Sequence, residues 1–146
     1  MSPDTFNTFC ATLPHTQHVV QWGDADVWKV GAPEKGKNKV FVVGGWRKLQ
    51  EARSTEIIEG ATGKNKNNSS AYCMSFHCSE IAFEFLKDTP GCRPAPYLAS
   101  RGMSWIQRYN DQGISDKDLK DYIENSHRLM AAKLTKTLQR ELGFLT

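Results

Sequence analysis

The 146-residue sequence contains no apolar run near the roughly 20 residues that a membrane helix needs. A membrane-spanning helix is therefore excluded. The start, "MSPDTFNTF", lacks a basic segment followed by an apolar block, so no secretory signal is expected and a cytoplasmic location follows. There is no Cys-x-x-Cys and no Gly-x-Ser-x-Gly. Cys10, Cys73, Cys78 and Cys92 are irregularly spaced, and a chain of this length does not need disulfides, so they read as reduced thiols. Internal repeats are absent, and a single domain over residues 1–146 is expected.

Basic residues are missing from the first part of the chain. Residues 1–27 carry a net charge of −3 with no Lys or Arg, residues 28–72 carry +5, and residues 73–146 carry +1. The central segment can attract phosphates. A lysine-rich solvated loop would give the same count. "GATGKNK" does not make a phosphate-binding loop, because Ile58 stands where the first glycine is required and Asn65 follows Lys64.

The periodicity predicts the elements in order. Asp4 is expected to cap a first helix whose apolar face is Phe6, Phe9, Cys10 and Leu13, closed by Pro14. "HTQHVVQWGDA" reads as a connection. "DVWKVG" and Lys39–Val43 read as strands of a hairpin around the turn-rich "APEKGKNK". "WRKLQEAR" reads as a helical turn, "STEIIEGATG" as a strand and "GKNKNNSS" as a loop. In "AYCMSFHC", alternation puts Tyr72, Met74, Phe76 and Cys78 on one face and Cys73, Ser75 and His77 on the other. Ser79 caps a short helix with Ile81, Phe85 and Leu86 inward. Pro94 and Pro96 restrict "RPAPYL" to extended geometry, and "MSWIQRY" returns as a strand. Ser115 and Asp118 open a terminal helix expected to run from Asp116 to about Leu142. The expected fold is α+β: a two-layer sandwich with a largely antiparallel sheet and helices on one face.

Candidate chemistry is sparse. Cys78 points away from Cys73 and His77 on a regular strand, so these three do not converge as metal ligands. The first helix has Asp4 as its sole acid and offers no acidic ridge for a hard cation. Cys92 beside Arg93 could have a lowered pKa, or be an unremarkable thiol. Asp24 and Asp26 read as turn residues after Gly23. No catalytic constellation, cofactor or metal site is expected, and a monomer is assumed. The stronger pattern is cations interleaved with aromatics: Lys35, Lys37, Arg47, Lys48, Lys64, Lys66, Arg93 and Arg101. Trp22, Trp28, Trp46, Tyr97 and Trp105 can alternatively line a pocket on an open sheet face, or simply pack in the core.

These features resemble the MmcQ/YjbR family. The resemblance is carried by "FCATLPHTQHVVQWGD", "VWKVG…KVFVV", "MSFHCSEIAFEFLKDTPGCRPAPYL", "SWIQ" and "ISDKDLKDYIENSHRLMAAKL", which cover nearly the whole chain in order. It implies a CyaY-like (frataxin-like) fold and a bacterial, non-enzymatic protein that binds double-stranded DNA through basic hairpin tips. It supplies no catalytic residues. The alternative is a protein-interaction or small-ligand module using the aromatic sheet face. Two departures stand out. The segment at about 46–70 is longer than the family's usual connection, and His127 stands where a tyrosine commonly follows Ser126.

Overall fold

The computed structural model describes residues 1–48, 70–96 and 102–145. Helix α1 (Pro3–Ala11) is capped by Ser2, not Asp4: the Ser2 hydroxyl accepts the Thr5 N–H at 3.1 Å. Pro3 then takes the first helical position, where a missing N–H costs nothing. Asp4 instead sits in the first turn, where its charge suits the helix dipole.

The chain next forms strands β1 (Thr16–Gln21), β2 (Ala25–Ala32) and β3 (Lys37–Lys48). The segment expected to be a connection is thus a strand, paired antiparallel with β2 from Thr16↔Val30 to Gln21↔Ala25. Trp46–Lys48, expected in a helical turn, continues β3. Strand β4 (Ser70–His77), helix α2 (Glu80–Leu86), strands β5 (Cys92–Pro94) and β6 (Trp105–Arg108), and helices α3 (Asp116–Ala131) and α4 (Lys136–Glu141) follow. The six strands form one sheet in the order β1-β2-β3-β4-β6-β5, and every pair is antiparallel. The fold is α+β, as the periodicity predicts. The strand and helix expected within 49–69, and the turn at Ser100–Arg101, lie outside the described residues.

One sheet face carries the main core. Trp28, Val30, Val42, Met74, Phe76 and Ile106 meet Phe6 and Cys10 of α1, Leu86 of α2, and Leu119, Ile123 and Ala131 of α3. The other face is not open at β2 and β3, where Ala25, Val27 and Val43 form a second buried cluster.

Two helix expectations need correction. In α2, Ile81 and Phe85 are 86% and 71% exposed, while Ala82, Phe83 and Leu86 face the core. Helical geometry allows either stripe, and packing selects the one containing Phe83. The terminal helix is interrupted at Ala132–Thr135. Thr135 is extended and caps α4, accepting the Leu138 N–H at 3.2 Å. The buried Gln139 amide donates to the carbonyls of Leu134 (2.7 Å) and Ala132 (3.2 Å), which satisfies the broken end of α3.

A bulge lies in the β2–β3 ladder. Trp28 faces Val42 and Lys29 faces Val40, so Phe41 has no partner in β2. Ser126 of α3 fills that gap. Its hydroxyl donates to the Phe41 carbonyl at 2.6 Å and accepts the His77 N–H at 3.0 Å. His127 beside it donates to the Pro14 carbonyl at 2.8 Å and meets the Phe41 ring edge-on. Burial, opposed by that hydrogen bond, holds the His127 pKa below its usual value, so the ring is neutral.

Candidate nucleic-acid interface

Among the described residues, Lys35 and Lys37 lie at the start of β3, Arg47 and Lys48 at its far end, and Arg93 on β5. The twelve residues of β3 span about 36 Å. At its start, Pro33–Lys35 form a single 3-10 turn closed by Gly36 in the left-handed region. Lys35 is ion-paired with Glu141 of α4, so this hairpin tip is tied to the C-terminal helix and is not a free wing. Lys37 is exposed beside it.

At the far end, Trp46, Arg47 and Lys48 are consecutive, paired with Tyr72, Ala71 and Ser70 of β4. Alternation places Trp46 and Lys48 on the helix side and Arg47 on the opposite face. Arg47 donates to the Trp46 carbonyl at 3.0 Å. Arg93 of β5 shares Arg47's face of the sheet, donates to Gln107 at 2.7 Å and lies 5.7 Å from the Tyr109 ring centroid. The buried thiol of Cys73 feels both guanidinium groups. Burial still dominates, and its pKa is pushed up to about 11. Among the described residues, no carboxylate pairs with Arg47, Lys48 or Arg93. Lys64, Lys66 and Arg101 lie outside the described residues, as does Tyr97.

The tryptophans do not line one pocket. Trp28 and Trp46 are on the helix side, whereas Trp105 neighbours Ile106 on β6 and therefore faces the other way, against His77. Trp28 and Trp105 are core residues. Trp22 is exposed at the β1–β2 turn, where Trp22, Gly23 and Asp24 all have positive φ (51°, 73° and 67°).

Trp46 is 61% exposed and belongs to a cleft of about 370 Å³. Met1, Pro3, Tyr72, Met74 and Tyr109 supply its apolar lining, with Arg108, Asn110 and Asp111 polar. Arg108 is only 3% exposed, and its guanidinium is committed: it donates to Asp116 at 2.8 Å and to the Asn110 carbonyl at 3.1 Å. Asp116 also faces the N-terminal ammonium at 3.3 Å. Burial opposes its ionisation, but these hydrogen bonds and charges prevail and hold the carboxyl below its usual range.

Tyr72 forms one wall of the cleft and is fixed from behind. Its hydroxyl donates to Asp26, two strands away, in a hydrogen bond that passes over Gly44 of β3. A Cβ at Gly44 would collide with the Tyr72 hydroxyl and come within 2.6 Å of the Phe6 ring. Asp26 also pairs with His18 Nε2 at 2.8 Å, while Asn7 accepts from the Trp28 indole at 2.8 Å. Burial raises the Asp26 pKa, yet bonds from Tyr72, His18 and Asn7 outweigh it and leave the carboxyl below its usual value. Tyr72 is shifted the other way, by burial and then by Asp26, so it stays protonated and donates. Asp26 is therefore a strand residue with a structural role. Its sequence context beside Gly23 gave no sign of this, because the pairing depends on register across three strands.

The four cysteines are free and buried. Burial drives Cys10 far above its usual pKa and holds Cys78 and Cys92 at about 11. Arg93 does not activate Cys92; the cation that acts on it is Arg108, and its effect is smaller than that of burial.

No curated protein matches the sequence. In fold it is similar to the crystal structure of protein DR2400 from Deinococcus radiodurans, with a TM-score of 0.66 and 18% identity over 96% of this chain and 86% of that one. It is also similar to a protein from Pseudomonas syringae, with a TM-score of 0.63 and 15% identity over 89% and 99% of the respective chains. The model of the family described as YjbR matches residues 11–129, a span that holds all six strands and runs into α3. On that match, the chain belongs to the YjbR family.

Proposed function

We propose that this protein binds DNA without catalysing a reaction, and that it grips the phosphate backbone at the Trp46 end of β3. The observation that carries this reading is that Arg47 and Arg93, from two strands, share one sheet face around Cys73 with no carboxylate partner among the described residues, while Lys48 lies at the same strand end on the other face. Cations left unpaired in this way can neutralise phosphates, and the binding they give is insensitive to sequence and sensitive to salt. The hairpin tip expected to act as a wing supports it less, because Lys35 is occupied by Glu141. A binding role also suits the buried thiols, whose raised pKa values leave little thiolate to act as a nucleophile. Four free thiols fit a reducing compartment such as the cytoplasm.

Fluorescence anisotropy with a short labelled DNA across a salt series tests the reading. Three phosphate contacts give a log–log salt slope of about −3, and replacing Arg47 and Arg93 with alanine reduces it to about −1. Absence of binding at low salt would sink the proposal. So would unchanged binding by a variant lacking Arg47, Lys48 and Arg93.

A protein-interaction role is the second reading. It is favoured by the exposed Ile81 and Phe85 on α2, which are one helical turn apart and share a face.

A further inference from the structure

The cleft beside Trp46 has features that phosphate contacts alone do not explain. Arg108 and the N-terminal ammonium of Met1 share Asp116, and Asp111 adds a second carboxylate at the cleft, so its charges balance and it is poorly suited to an anion. What it offers is an exposed indole at its edge, the ring of Tyr72, the apolar surfaces of Pro3 and Met74, and the polar groups of Asn110 and Asp111. That combination suits a flat, neutral heteroaromatic ring with hydrogen-bonding edges. Tyr72 is held in place by Asp26 across Gly44, so this wall is set before any ligand arrives.

The surroundings indicate what such a ring would be attached to. Lys48 lies two residues beyond Trp46 on the same side of β3, about 7 Å along the strand. Arg47 is between them on the other face. A ring stacked on Trp46 would thus have the Lys48 cation beside it at the reach of its own backbone phosphate. In a duplex the bases are paired and stacked and cannot enter a cleft.

Resting on the DNA-binding reading above, we propose that the cleft receives one unstacked base of single-stranded DNA, held against Trp46, with Lys48 on a flanking phosphate. The protein then prefers single-stranded or melted DNA to duplex. The Asp111 carboxylate, an acceptor at the cleft, favours a base that presents an exocyclic amine.

Three probes of equal length test this: an oligodeoxycytidylate, an abasic strand with the same backbone, and a duplex. The expected result is that the cytosine strand binds about tenfold more tightly than the abasic strand, the typical effect of one stacked base. Trp46→Ala erases that difference, whereas Trp46→Phe keeps most of it. Replacing Arg47 and Arg93 weakens all three probes alike. If the cytosine and abasic strands bind equally to the unaltered protein, or if Trp46→Ala preserves their difference, the base-binding cleft is wrong and phosphate binding stands. If none of the probes binds at low salt, both readings fail. Circular dichroism of each variant confirms that the sheet is intact.

Discussion

The Ser126 hydroxyl joins two strands that its own helix merely covers: it donates to the Phe41 carbonyl of β3 and accepts the His77 N–H of β4. The bulge at Phe41 creates the need for this contact, and Ser126 is fully buried. Ser126→Ala leaves both backbone groups without that partner. The expected cost is on the order of 1–3 kcal/mol in unfolding free energy, measured by urea denaturation.

Gly44 has no room for a side chain. Gly44→Ala would push its methyl into Tyr72 and Phe6. Overpacking of this kind costs roughly 1–3 kcal/mol, and here it also separates Tyr72 from Asp26. A lowered thermal midpoint together with an altered near-ultraviolet tyrosine signal is the expected outcome.

Asp26 makes stability depend on acid. Its pKa is lower in the folded chain than in the unfolded one. Its contribution is therefore present in full above the unfolded value and is lost as pH falls through the folded value. Asp26→Asn should destabilise the protein at neutral pH, and the gap between variant and parent should close as pH drops below about 4. Urea titrations at a series of pH values between neutral and acid check this sign.

The neutral His127 acts in a higher pH range. Its folded pKa is also depressed, so the unfolded chain takes up the proton first and stability falls as pH drops below about 6.5. His127→Gln should flatten the stability profile between neutrality and pH 5.5, a range in which carboxylates contribute little.

Ile81 and Phe85 carry the opposite expectation. Both are apolar and in a helix, yet both point into solvent. Converting the pair to serine should change the unfolding free energy by no more than about 0.5 kcal/mol per site. A loss of several kcal/mol in thermal or urea unfolding would mean that they are packed in solution.

Much of this architecture was legible in the sequence. The alternation in Tyr72–Cys78 and the caps at Ser79 and Ser115 appear where local chemistry put them, whereas the edge strand expected over Arg93–Leu98 is Cys92–Pro94 and stops before Pro96. Strand β1 did not show itself, because Thr16, Gln17, His18 and Gln21 make a half-exposed edge with little apolar alternation. The break before α4 was hidden by Leu134 and Leu138, which continue the apolar stripe while a Gln139 side chain supplies the interruption's hydrogen bonds. Trp46, Arg47 and Lys48 stood out as residues. The placing of Arg47 and Arg93 on one face required strand register, and the Tyr72–Asp26 link required a missing Cβ on the strand between them. Neither is written in local periodicity.

Ala32, Leu134 and Leu138 form a small apolar cluster that meets the main core only through Phe144 among the described residues, and the Lys35–Glu141 ion pair closes its outer side. The end of the molecule containing α4, held by few apolar contacts, should open locally more readily than the sheet. Amide hydrogens of Lys136–Glu141 should exchange with solvent through that local opening. Those of α3 around Ser126 should wait for the whole fold to come apart.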